Sequence, residues 1–132
     1  MRYLHTMLRV TDLGKSIHFY THGLGFQLVS RDEYSKDRFT LAFLRSASDP
    51  ESGPMIELTH NWDTASYTRG DAYGHMAYAV DSIDVVQANL RKNGYDLSWG
   101  PGLTPSGSTK MAFVDDPDGY EIELLEKREK SV

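Results

Sequence analysis

The chain contains no cysteine. That removes any disulfide framework, any thiolate metal ligand and any cysteine nucleophile. No apolar run approaches the ~20 residues needed to span a bilayer, so no membrane partner is expected. The opening residues, Met1-Arg2-Tyr3-Leu4-His5, lack the apolar core of a secretion signal, and together with the missing cysteines this fits a cytoplasmic protein. No basic cluster offsets the formal net charge of −5, which argues against nucleic acid as a partner.

What is present suits a small globular protein: 132 residues with a spread of Val, Ile, Leu, Phe and Tyr, enough for one domain or two half-domains sharing a core. Residues 3–11 alternate as a strand, with His5, Met7 and Arg9 on one face. Asp12 is placed to cap a helix through Thr21, with Leu13, Ile17 and Tyr20 as its buried stripe. Gly23 and Gly25 stop it. Residues 26–32, 39–45 and 55–60 read as three further strands, with a Ser/Asp/Pro/Gly loop over 46–54. Residues 62–71 are polar and irregular and serve as a linker.

The plan then repeats. Residues 73–80 form a strand, Ser82 caps a helix to Lys92, and short strands follow at 95–99, 110–114 and 120–125, with a Gly/Pro/Ser loop over 100–108. Residues 126–132 read as a charged, solvated tail. Two β-α-β-β-β modules, residues 1–61 and 72–126, thus make up one α+β domain.

Equivalent positions carry equivalent chemistry. His5 and His75 stand in the two first strands, each with a valine five residues on, at Val10 and Val80. The last strands read Met55-Ile56-Glu57-Leu58 and Glu121-Ile122-Glu123-Leu124. Glu121 and Glu123 share a face because strand periodicity is two, but only Glu123 has an acidic counterpart, Glu57. A carboxylate in an apolar strand is costly unless it is paired or binds metal. The repeat therefore singles out His5 with Glu57, and His75 with Glu123. Two imidazoles and two carboxylates form a borderline-to-hard donor set suited to Ni, Co, Zn, Fe or Mn. That set leaves room for water, as in catalytic sites. His18 and His22, four apart on a helix, lack this symmetry and read as solvated; His60 falls on the opposite strand face from Glu57.

These residues carry a resemblance. The segments His5-Thr6-Met7-Leu8-Arg9-Val10, Ser16-Ile17-His18-Phe19-Tyr20-Thr21, Ile56-Glu57-Leu58-Thr59-His60-Asn61, Ala72-Tyr73-Gly74-His75 and Asp116-Pro117-Asp118-Gly119-Tyr120-Glu121-Ile122-Glu123-Leu124 resemble glyoxalase I (lactoylglutathione lyase), of the short bacterial nickel-type group within the vicinal-oxygen-chelate superfamily. The resemblance implies a curved eight-stranded sheet around a metal site. It places the metal ligands on His5, Glu57, His75 and Glu123, and favours Ni2+ or Co2+ over Zn2+. It implies a substrate, the hemithioacetal of methylglyoxal and glutathione, isomerised to S-lactoylglutathione through an enediolate. Glu123 is then the principal base and Glu57 a ligand and possible partner in reprotonation. Arg9, Asn61 and, more weakly, Thr59 fall where the thiol would be bound. The family also implies a homodimer with shared active sites. One departure stands out: larger zinc-type members carry an arginine where this chain has Asp71, and Arg69 and Lys110 are the candidates to replace it. The competing expectations are an acyl-CoA epimerase or ring-cleaving dioxygenase on the same fold, and a metal-free module that binds a small ligand.

Overall fold

In the computed structural model, residues 1–127 are described. The chain divides into two compact units, the first Met1–Arg69 and the second from Gly70 onward. Unit 1 comprises β1 (His5–Arg9), α1 (Leu13–His18), β2 (Gln27–Tyr34), β3 (Phe39–Arg45) and β4 (Met55–Asn61). Unit 2 comprises β5 (His75–Val80), α2 (Ile83–Lys92), β6 (Trp99–Leu103), β7 (Lys110–Asp115) and β8 (Glu121–Glu126). The eight strands form two four-stranded sheets, ordered β1-β4-β3-β2 and β5-β8-β7-β6. In each, the first strand lies parallel to the last and the other pairs are antiparallel. The β-α-β-β-β order read from the sequence is thus the order built.

The helix side of each sheet holds the core. In unit 1, Leu8, Val10, Ala42, Leu44, Ile56 and Leu58 are buried there against Leu13, Phe19 and Tyr20. In unit 2, Ala112, Val114, Ile122 and Leu124 are buried with Ile83 and Leu90 of α2. Alternate residues point to the other face. Both expected caps form: Asp12 accepts from the backbone N–H of Lys15 at 3.1 Å, and Ser82 from that of Val85 at 3.2 Å.

Three details differ from the sequence reading. The first helix is α-helical only to His18 and continues as a π-helical turn over Phe19–Gly23. There the Thr21 hydroxyl donates to the Ile17 carbonyl at 2.7 Å, a side-chain bond of the kind that bends a helix. Ser16, Phe19 and Tyr20 are fully buried, while Ile17 is only half-buried. Strand β6 occupies Trp99–Leu103 rather than 95–99, inside the segment read as a loop. Gly and Pro argue against a strand, but β6 is an edge strand, where proline removes no needed ladder bond, and its pairing with β7 is irregular between Trp99 and Gly102. Finally, Glu126 is not part of a solvated tail: it ends β8 and accepts from the Ile83 N–H at 3.0 Å at the start of α2. Residues 128–132 lie outside the described residues.

Candidate functional site

The pairing of β1 with β4 sets His5 opposite Met55 and Met7 opposite Glu57. His5 and Glu57 are therefore diagonal neighbours on one face, and their side chains meet, with Nε2 3.1 Å from Oε2. Unit 2 repeats the register. His75 stands opposite Glu121 and Ala77 opposite Glu123, and His75 Nε2 lies 3.3 Å from Glu123 Oε2. The acids are the more covered partners, with side chains 17% and 16% exposed against 36% and 41% for the imidazoles.

The turn Asp116–Gly119 launches the strand that carries Glu123. Buried Asp116 accepts through Oδ1 from the backbone N–H groups of Asp118, at 3.0 Å, and Tyr120, at 2.8 Å. The Gly119 N–H donates to the Asp116 carbonyl at 2.9 Å, and Gly119 sits at φ +86°, a left-handed conformation that glycine adopts without steric cost.

Two residues that the sequence reading missed complete each pair. Phe43 lies opposite Glu57 in β3, and Phe113 opposite Glu123 in β7. Each ring meets the imidazole edge-on with centroids 5.5 Å apart, Phe43 on His5 and Phe113 on His75. Such T-shaped contacts are the preferred aromatic geometry, and they restrict rotation of the imidazoles. The signal was in the repeat: Ala42-Phe43-Leu44 matches Ala112-Phe113-Val114.

The donor chemistry of the pairs fits a divalent metal. Ligand atoms each ~2.1 Å from one ion and at right angles lie ~3 Å apart, which is the spacing of nitrogen and oxygen in both pairs. Among the described residues, no group of three or more His, Asp or Glu side chains is placed to hold one ion; each unit holds one His/Glu pair.

The chain matches the model of the Glyoxalase/Bleomycin resistance protein/Dioxygenase superfamily over residues 2–124. The chain belongs to that superfamily. It is 46% identical over 128 residues to a probable lactoylglutathione lyase of Vibrio cholerae, covering 97% of this chain and 92% of that one. It is likewise 46% identical over 129 residues to the lactoylglutathione lyase of Salmonella typhimurium, covering 98% and 95%. Among solved structures, the trypanothione-dependent glyoxalase I of Leishmania major matches with a TM-score of 0.80 at 42% identity, over 96% of this chain and 86% of that chain. Glyoxalase I of Zea mays matches with a TM-score of 0.89 at 35% identity. The chain spans only 45% of that maize chain, whereas nearly all of this chain is matched.

The remaining candidates of this superfamily member separate by face. Arg9 is exposed at the end of β1, opposite Thr59. It stands to Asn61 in the same diagonal relation as His5 to Glu57. Thr59 is 9% exposed, and its Oγ1 has no hydrogen-bond partner among the described residues. Asn61 donates through Nδ2 to the Tyr67 hydroxyl at 2.9 Å. Lys110 does not reach this chemistry: it shares the helix-side face of unit 2 and pairs with Asp84 at 3.2 Å and Glu126 at 3.8 Å. His60 also lies on the helix side, with Nδ1 3.3 Å from the Val10 carbonyl oxygen. His18 and His22 stack on each other, centroids 4.5 Å apart, at the end of α1 and in the π-helical turn that follows it.

The segment after β4 is anchored rather than loose. Arg38 grips Asp63 in two hydrogen bonds of 2.7 and 2.8 Å, and this bonding holds the Asp63 carboxyl below the usual carboxylate range. Trp62 donates from Nε1 to Thr40 Oγ1 at 2.8 Å.

Proposed function

We propose that the protein is a metal-dependent lactoylglutathione lyase, a cytoplasmic enzyme that isomerises the hemithioacetal of methylglyoxal and glutathione to S-lactoylglutathione. The observation that carries this reading is the twice-built pair: His5 with Glu57 and His75 with Glu123, in the same register, at the same spacing and under the same phenylalanine. The relatives named lactoylglutathione lyase, at 46% identity over nearly the whole chain, support it.

In this reading His5, Glu57, His75 and Glu123 hold the ion, with Ni2+ or Co2+ favoured over Zn2+. When bound, a divalent ion supplies Lewis-acid polarisation of two adjacent substrate oxygens. Glu123 takes the proton from C1 of the substrate and returns it to C2, so the reaction needs no redox partner. Glu57 holds the equivalent position beside His5 and assists reprotonation. Phe43 and Phe113 cover one side of each pair and limit water beside the carboxylates. Each unit supplies two ligands, and the four-ligand set is completed in a homodimer, where one protomer's His5 and Glu57 meet His75 and Glu123 of the partner subunit.

The face of unit 1 carries the thiol. Arg9 and Asn61 lie four residues along their strands from His5 and Glu57, about 13 Å at strand rise. The sulfur of glutathione sits on its central residue, so with the sulfur beside the metal pair one arm of the tripeptide runs along the strands and brings an end carboxylate toward the Arg9 guanidinium, which binds carboxylates in a bidentate fork. Thr59 lies between them.

The decisive experiment is reconstitution of chelator-stripped protein with Ni2+, Co2+ and Zn2+, followed by assay on the hemithioacetal. Turnover restored by Ni2+ or Co2+ is the expected result. Metal-loaded protein that leaves the hemithioacetal unchanged overturns the reading. Mixing His5→Ala with His75→Ala chains tests the shared site: activity returns on mixing if ligands come from two subunits.

A further inference from the structure

The metal pairs are duplicated, but the Asn61–Tyr67 contact occurs in unit 1 and involves a residue from the irregular segment beyond β4. Strand β4 ends at Asn61. The Thr64 N–H then donates to the Asn61 carbonyl at 3.1 Å, which turns the chain back. The turn is pinned on both sides by Trp62 on Thr40 and Arg38 on Asp63, so half-buried Tyr67 returns beside the side chain of Asn61. The Asn61 Nδ2 donates to the Tyr67 hydroxyl at 2.9 Å.

A primary amide has donors on one side and an acceptor on the other. With Nδ2 engaged by the Tyr67 hydroxyl, Oδ1 is the remaining acceptor of an amide whose residue shares its strand face with Glu57 and Thr59. An acceptor oxygen on Asn61, one diagonal position from Arg9 across the strand pair, makes with that guanidinium a matched pair for a zwitterion: the arginine takes a carboxylate, and the amide oxygen takes the neighbouring ammonium. Resting on the lyase reading above, we propose that Tyr67 is a positioning residue: it fixes Asn61 as an acceptor and thereby selects thiols that end in a free α-ammonium group beside a carboxylate. Specificity for the thiol is then written in the irregular segment, while the metal pairs are written in the strands. A thiol whose amine is acylated keeps its carboxylate for Arg9 but has no charged donor for Oδ1.

The test is binding of S-hexylglutathione and of its N-acetyl derivative by calorimetry, with the metal-loaded wild type, Tyr67→Phe, Asn61→Ala and the double variant, alongside turnover of the hemithioacetal. The expected result is that wild type prefers the free amine by about tenfold, and that Tyr67→Phe lowers that preference about three- to tenfold, the range of one hydrogen bond. Turnover is expected to show a raised KM with kcat within about twofold. The double variant is expected to lose no more than Asn61→Ala alone, because both changes remove one interaction. Unchanged amine preference in Tyr67→Phe, or additive losses in the double variant, overturns the proposal. A wild type that binds both S-hexyl compounds yet lacks turnover counts against the lyase reading alone, because the binding arm still decides the role of Tyr67.

Discussion

Units 1 and 2 keep one chemical element in common and differ in what surrounds it. The His/Glu pair and its phenylalanine match position for position, in register and in distance. Beyond them the faces diverge. Where unit 1 has Met7, Arg9 and Thr59, unit 2 has Ala77, Ala79 and Leu125. Where unit 1 has Met55, unit 2 has Glu121. On the proposed reading the retained part is the one that needs two copies, because a single His/Glu pair would provide only two ligands. The divergent part is free to specialise: unit 1 offers hydrogen bonds and a guanidinium along its strand face, and unit 2 offers small and apolar side chains beside one further acid, Glu121.

The sharpest way to break this comparison is to alter the matched acids. Glu123→Gln is expected to lower kcat about 10²–10⁴-fold, the range for loss of a positioned general base, with the fold retained by circular dichroism. Glu57→Gln, measured in parallel, separates the two units: a smaller kcat loss with weaker metal binding assigns Glu57 chiefly to ligation, and an equal loss shows the acids to be equivalent. Next in size is Arg9→Ala, expected to raise KM about 10- to 100-fold by removing a charge-assisted bond of ~1.5–3 kcal/mol, while metal affinity stays unchanged. An unaltered KM would place the substrate carboxylate elsewhere.

Thr59→Val gives a smaller effect of mixed sign. A buried hydroxyl without a partner costs stability, so the valine variant is expected to unfold at higher temperature, by a gain of ~1 kcal/mol, while KM rises a few-fold. A fall in melting temperature with unchanged KM would assign that hydroxyl a structural bond instead. Smallest is Glu121→Gln. It stands opposite His75 in the pairing of β5 with β8, but its counterpart is neutral Met55, and the variant is expected to hold kcat/KM within about twofold. A loss as large as that of Glu123→Gln would show that unit 2 uses both acids.

Much of this was legible in the residues because it is periodic. The two-residue alternation places His5, Met7 and Arg9 together, and Glu57 with Thr59 and Asn61. The duplication told Glu123 from Glu121, which periodicity alone treats alike. Phe43 and Phe113 were legible in the same repeat but carry no metal-ligand chemistry to draw the eye. Strand β6 was hidden because composition penalises Gly100-Pro101-Gly102, whereas an edge position tolerates it. The π-helical turn was hidden because the Thr21-to-Ile17 bond competes with a ladder that the apolar spacing predicts as regular. Tyr67 was hidden more deeply, since its partner is set by a turn and by anchors at Arg38 and Thr40, none of which is periodic.

By itself, then, the sequence determined the α+β plan of two β-α-β-β-β modules, the helix caps at Asp12 and Ser82, and the residues of the two His/Glu pairs. Each follows from local periodicity, local hydrogen bonding or duplication. Only the tertiary structure decided that His5 reaches Glu57 diagonally across a parallel strand pair, that Lys110 is committed to Asp84 and Glu126 on the helix side, and that Tyr67 holds the Asn61 amide. These depend on register and on chain reversals between residues far apart in sequence. A one-residue slip of a strand would turn its own side chains, His5, Glu57 and Lys110 among them, to the other face.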